Sequence, residues 1–365
     1  MQTNGQRQAA VRGVLSAAAQ DAVSFDWSAC HPVAALYCLP AIVFVIAVGF
    51  TFGQPLAALI ASGGALSVGF GSFQHLTRVW ATPMLLAAVG MSVSAFVGTL
   101  VSGVPGLEAA TAGLWGFALG LFVSLGTASW WVLLQSAIAL VIAATYPADL
   151  PYATLRAGLT LAGGAVQIVT IYSLWLIAPG PFKGLAPPNE TLPPRTLREA
   201  RITLRRAAAL SSARLRYCTG LGLSVAAGVV VFRALGLPNG YWVPMTVLLV
   251  LRWGGLRQTL GRGIARCAGT MLGAGLSTAL AAFIQPSPAT LLTIAMLAVW
   301  ICYAIQFVNY GAFSLALTTY IVLLFAVTGL PEPVTALHRA LATLVGGAVA
   351  LAGQLLVRAF HGTDD

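Results

Sequence analysis

This sequence is short of charge. Only 8% of its 365 residues are Asp, Glu, Lys or Arg, against about 25% in a soluble globular chain. Carboxylates number nine, and lysine occurs once, as Lys183. With 58% hydrophobic residues and a mean hydropathy of +0.88, the composition excludes a soluble protein and implies one integral to a membrane. The single lysine and the lack of G-x-x-x-x-G-K-[ST] exclude a P-loop, so ATP does not drive this chain through a site of its own. The five cysteines (Cys30, Cys38, Cys218, Cys267, Cys302) lack C-x-x-C spacing and sit among apolar neighbours, as free thiols do. No His/Cys/Asp/Glu group has metal-ligand spacing, and no metal or other cofactor is expected. Ser62, in Ala61-Ser62-Gly63-Gly64, has no partner that would make it a nucleophile, and an enzyme is not expected. The first thirty residues hold no signal peptide, because their longest apolar run, 14–19, is too short for an h-region. They read as a cytoplasmic lead-in.

What is present is a series of apolar segments of about 17–22 residues, broken by Gly, Pro or Arg, which argues for helices rather than a barrel. Twelve spans are expected, at 33–52, 55–72, 81–102, 108–126, 129–146, 157–178, 217–236, 241–252, 267–284, 289–304, 311–328 and 336–357. The 241–252 segment is too short to cross alone and extends through Gly254 or forms part of a broken helix. Between the two sets of six lies 181–216, whose Pro-rich front is followed by an amphipathic basic helix over 196–216 with Arg198, Arg201, Arg205 and Arg206 near one face. A shift of 183 residues lays Arg156–Val166 onto Arg339–Val349 with eight of eleven positions identical, and it pairs Asp149 with Glu332. The expected fold is therefore all-α and integral to the membrane, as two parallel six-helix repeats related by an axis along the membrane normal. The expected divisions are 1–30, a first repeat 31–180, a basic linker 181–216, a second repeat 217–358 and a tail 359–365.

The formal net charge is +10. Beside apolar spans, such an excess implies positive loops on the cytoplasmic side and an anionic ligand rather than nucleic acid. With a cytoplasmic N-terminus, sixteen Lys/Arg face inward and only Arg156, Arg233 and Arg339 face outward. The expectation is a multi-pass bacterial inner-membrane protein with both termini in the cytoplasm.

Residues 241–275 concentrate the polar chemistry. Tyr241 and Trp242 form an interfacial aromatic pair, an apolar half-span follows, and Arg252, Arg257, Arg262 and Arg266 then fall within fifteen positions. Gly269-Thr270-Met271-Leu272-Gly273 is a small-xxx-small face for close helix packing. Two readings of the arginines stand. One is a positive-inside loop. The other is an anion funnel, because Arg262 and Arg266 lie one turn apart on the face of Gly269 and Gly273, and guanidinium binds carboxylate at two points. Arg156 and Arg339 are either snorkelling side chains at helix starts or a symmetric pair at the outer mouth of an anion path. Asp149, Glu332 and His338 are the groups a proton-coupled carrier could use. Gln135, Gln306 and Asn309 line an interior path or hydrogen-bond between helices. Trp115, Trp130, Trp131 and Trp175 read as belt or packing aromatics, or as a surface on which an aromatic substrate stacks. His75 and Arg78 form a thinner inner loop in the first half, and Glu108 reads as a helix-start charge.

The pattern YW-x-P-x-T-x-x-L-V-L followed by L-R-x-x-L-x-R-x-x-x-R-x-x-G-T-x-x-G, carried by Tyr241, Trp242, Pro244, Thr246, Leu249, Val250, Leu251, Leu256, Arg257, Leu260, Arg262, Arg266, Gly269, Thr270 and Gly273, resembles the fusaric acid resistance (FUSC, aromatic acid exporter) family. The close match covers the second half; the first half shares the general layout. The resemblance implies a secondary transporter that exports aromatic or other small organic acids, of the fusaric acid and hydroxybenzoate class, driven by the proton gradient. Full-length members carry a large cytoplasmic helical domain between the membrane halves; only residues 181–216 stand there, so the chain reads as a compact form. Two alternatives remain open. A passive organic-anion channel, as the related plant malate-transporting channels imply, needs arginines and no carboxylate. A non-transporting scaffold would use the glycine faces to bind other proteins. Small organic anions and membrane lipid are the expected partners, and a homodimer and a periplasmic adaptor are the protein partners this reading admits.

Overall fold

In a computed structural model, residues 13, 16–74, 81–104, 106–182, 196–209, 213–284, 287–328 and 332–359 are described. Arg7, Arg12, His75, Arg78 and Lys183 lie outside the described residues, as does the Glu332 side chain. Fourteen helices are described: α1 (Pro32–Leu36), α2 (Leu39–Thr51), α3 (Pro55–Gly69), α4 (Thr82–Val101), α5 (Leu107–Phe122), α6 (Thr127–Ala143), α7 (Leu150–Ile177), α8 (Leu197–Ala207), α9 (Ala213–Ala234), α10 (Trp242–Val250), α11 (Gly255–Ile284), α12 (Pro288–Ile305), α13 (Tyr310–Val327) and α14 (Glu332–Ala359). No strand occurs among the described residues.

Every stretch expected to cross contains a helix, but fewer than twelve have the length and composition to span. Among the described residues eight do, or nine if α1 and α2, bent by 46° at their junction, act as one. The shortfall has local causes. α6 stops at 17 residues and α10 has only nine. α10 ends because Leu251 turns extended at ψ 114, and residues 251–254 separate it from α11. Side chains take up the backbone groups that this break frees, as an apolar surrounding requires. Arg262 donates to the Leu249 carbonyl (3.2 Å), Tyr217 to the Leu251 carbonyl (3.3 Å), and the Arg252 amide donates to the Thr259 hydroxyl (3.3 Å). The amphipathic helix α8 is shorter than expected. It starts on a Thr196 cap, ends at Ala207 and packs on α5, and the arginine at 214 belongs to α9.

The helices before α8 and those after it pack in the same order. In the first set α4 packs on α6 and α7, α3 on α7, and α2 on α3; in the second α11 packs on α13 and α14, α10 on α14, and α9 on α10. Contacts between the sets exchange matching members: α5 packs on α9, and α12 packs on α1 and α2. The shared Gly-Gly explains one matched pair. A Cβ on Gly163 would collide with the Ala61 carbonyl of α3, and a Cβ on Gly346 would meet the Val243 carbonyl of α10 at 2.6 Å. In both sets the long last helix thus lies backbone to backbone against its partner, an approach only glycine permits. Gly269 and Gly273 do the same for α11 against α13, facing the Gly311 and Leu315 carbonyls.

Candidate functional site

A cavity of about 1670 Å³ lies between the two sets of helices and draws its walls from both. Arg214, in the first turn of α9, lines one end, and Asn239, just past the last turn of α9, lines the other. At about 1.5 Å per residue, 22 residues of α9 match the thickness of a hydrocarbon core, about 30 Å. The cavity is thus a path-like space rather than a closed pocket, larger than the few hundred to about 1,000 Å³ of ordinary ligand sites.

Arginines on aromatic faces line it. The Arg252 guanidinium sits 4.0 Å from the centre of the Trp130 ring, Arg262 3.8 Å from that of Tyr310, and Arg214 3.7 Å from that of Trp253. Such stacking holds each cation through the ring's negative face while leaving N–H edges for another acceptor. Arg266 is also on the wall, 1% exposed, with all three side-chain nitrogens unbonded. Among the described residues the only acidic side chain on the wall is Asp21, and it is held in a two-point pair by Arg257 at 2.9 and 3.0 Å. The potential inside is therefore positive with little compensation, the arrangement that draws anions in.

The structure separates the other expected site residues. Arg257 stands at the surface, off the cavity wall, and the Asp21 carboxylate beside it raises its pKa above the ordinary value. Its partner anchors residues 21–26, whose carbonyls at Ala22 and Ser24 also accept from Asn309 (2.9 and 2.7 Å), across one mouth of the cavity. Arg156 and Arg339 differ. Arg156 lines the cavity, but it donates to Thr99 and to the carbonyls of Ala143 and Tyr146, so it caps the C-terminus of α6. Arg339 lies behind the wall, 3.6 Å from the centre of the Trp242 ring, with one bond to Thr318. Tyr241 and Trp242, read from sequence as interfacial, are buried at 3% and 4% exposure, and both line the cavity. Thr270 is fully buried between Gly269 and Gly273, and its hydroxyl is unbonded.

Asp149 is exposed and caps α7 by accepting from the Tyr152 amide, and His338 is half-buried beside Arg339. Neither lines the cavity. Gln135, Gln306 and Asn309 do. Trp130 and Trp131 are wall residues, whereas Trp115 donates to Ser94 and Trp175 stacks on Tyr172. Glu108 pairs with Arg233 (2.9 Å) where α5 meets α9. Sequence reasoning missed the pairing of Arg252 with Trp130, of Arg214 with Trp253 and of Tyr146 with Asn239. Each joins residues far apart in the chain, and no local signal points to them. No group of three or more His, Cys, Asp or Glu among the described residues could hold a metal.

A family model described as fusaric acid resistance protein-like matches residues 225–353. That region belongs to the fusaric acid resistance-like (FUSC) family. It contains Tyr241, Trp242, Arg252, Arg262, Arg266 and Arg339, so most of the cavity's positive wall lies in the FUSC-like region. Over those residues the chain is similar to proteins of a membrane transporter family. Comparisons with curated proteins and with solved structures give no match.

Proposed function

We propose that this protein exports small organic anions, aromatic acids foremost, through the cavity between its two helix sets. The carrying observation is that cavity. It is lined from the first turn of α9 to beyond its last and walled by Arg252 and Arg262 on aromatic rings and by Arg266, and its one described carboxylate is already paired. An aromatic acid offers a carboxylate for guanidinium and a ring for Trp130 or Trp242. The matched packing order of the two sets supports two related halves around an axis along the membrane normal. The distribution of arginines supports cytoplasmic termini in a bacterial inner membrane, with the Arg214 end of the cavity facing the cytoplasm.

Proton-driven export is the coupling that the family implies, with Asp149, Glu332 and His338 as its candidate groups. A second reading, passive flow of organic anions, is favoured by one observation: no unpaired described carboxylate or histidine lines the cavity. Flux of hydroxybenzoate in proteoliposomes, under a pH gradient and a voltage imposed separately, decides between them. Uphill movement at zero voltage driven by the pH gradient supports the exporter. Flux that only follows the anion's electrochemical gradient supports the channel. No flux across a panel of organic anions rejects both and leaves a scaffold.

A further inference from the structure

Beside the cavity, α10, α11, α13 and α14 enclose a cluster of buried donors with nothing to donate to. Arg266 is 1% exposed, and its Nε, Nη1 and Nη2 have no hydrogen-bond partner. Arg339 is equally buried; its Nε donates to Thr318 (3.1 Å), while both Nη atoms are unbonded. The helices that carry them, α11 and α14, pack on one another, and the Trp242 ring that Arg339 faces shares the cavity wall with Arg266. The hydroxyls of Thr246 on α10, Thr270 on α11 and Ser314 on α13 are buried and unbonded too. Among the described residues no carboxylate pairs with either arginine.

Arginine does not escape such a setting by losing its proton. Two like charges left unpaired and out of water destabilise a fold strongly, and removal of one partner from a buried pair is the usual route to that state. Here the partner missing from the protein is an anion. Resting on the transport reading above, we propose that Arg266 and Arg339 bind one small monovalent anion, with Thr246, Thr270 and Ser314 completing its shell and the Trp242 face fixing the Arg339 guanidinium. The shared chemistry is a compact anionic acceptor. Its source is either the carboxylate of the transported acid or a resident inorganic anion such as chloride. Arg266 belongs to both cavity wall and cluster, so the site opens onto the transport path. The first half has no counterpart. Pro83 and Ala87 stand where a shift of 183 residues places Arg266 and Thr270, and Arg156, in the place of Arg339, donates through Nη1 to Thr99 and to the carbonyls of Ala143 and Tyr146. The site is single and belongs to the second half.

The test is thermal unfolding of the purified protein in detergent, titrated with sodium benzoate and separately with sodium chloride, over a buffer of bulky anions at constant ionic strength. The midpoint should rise with saturation. Ligand that binds only the folded state at a hundred times its Kd stabilises it by a further factor of about a hundred in the folding equilibrium. A rise with benzoate alone identifies a substrate carboxylate, and a rise with chloride, displaced by benzoate, identifies a resident anion. Arg266→Lys and Thr270→Val, which keep volume and leave the backbone undisturbed, should weaken binding about tenfold and a few-fold. Arg266→Gln combined with Arg339→Gln should abolish it, and Arg156→Gln should not change the affinity. Parent protein that transports anions yet shows no saturable rise overturns the site and leaves the transport reading standing. So does a rise that survives the double substitution.

Discussion

Two arginines five residues apart, Arg257 and Arg262, have different fates, and the cause is what each meets. Arg257 meets a carboxylate on the surface, and the pair is complete without a ligand. Arg262 meets the ring of Tyr310 and the Leu249 carbonyl, which hold it on the cavity wall with donors to spare. Arg262→Gln should therefore lower the rate of hydroxybenzoate flux by about ten- to a hundredfold, the loss of one charge-assisted hydrogen bond of about 1.5–3 kcal/mol. Arg257→Gln should leave flux at or above the parent value, because its contact holds residues 21–26 across the mouth rather than holding an anion. Initial rates in proteoliposomes at matched protein density check both, and a loss of flux in Arg257→Gln would return that arginine to the path. The sequence, with both residues in one cluster at helical spacing, offers no way to tell them apart. Asp21 is 236 positions from Arg257 in the chain.

The glycine pairs were open to sequence reasoning in a way the arginine partners were not. Gly163-Gly164 and Gly346-Gly347 stand in the one stretch that repeats with near identity, and a face of small residues has a single common use, close approach of helices. What could not be read was the partner. α10 is a nine-residue helix whose burial on all sides erases any periodic signal, and its end at Leu251 depends on Tyr217 and Arg262 from other helices. The spacing of apolar residues marked where helices lie, and Gly254-Gly255 left a broken helix after 241–252 as one of two readings, whereas Pro40 at the α1–α2 bend sits inside an apolar run that reads as one continuous span. Gly346→Leu should destabilise the fold by about 1–3 kcal/mol or more, the cost of overpacking where the neighbour is backbone that cannot move aside. Gly163→Leu should do the same against α3. Gly158→Ala, on the same helix as Gly163 but with open space at its Cβ, should stabilise by about 0.5–1 kcal/mol. Unfolding midpoints in detergent check the three together, and equal losses at 158 and 163 would reject close packing as the reason for the repeat.

Taken together, the two helix sets behave as two walls, and the path between them must open somewhere at the end away from Arg214. The connections α6–α7 and α9–α10 meet there. Asn239 holds a left-handed backbone (φ 53), a conformation asparagine tolerates better than most side chains, and this aims its Oδ1 to accept from the Tyr146 hydroxyl at 2.8 Å. Tyr146 in turn lies 5.5 Å from the Arg156 guanidinium, which fixes the carbonyls at the end of α6. One hydrogen bond between exposed side chains joins the two loops, beside the contact of the Tyr146 and Tyr241 rings at 6.2 Å. At about 0.5–1.5 kcal/mol the hydrogen bond is weak enough to break if the proposed path opens here. Replacing Tyr146 and Asn239 by cysteine and joining them with a short bifunctional reagent makes the link permanent. Flux should then fall to the background of empty liposomes and recover when a reducible reagent is cleaved, while the benzoate-induced rise in unfolding midpoint persists, since the proposed anion site uses neither Tyr146 nor Asn239. Full flux through the cross-linked protein would place the exit away from these loops and separate the arginine-lined cavity from the route of transport.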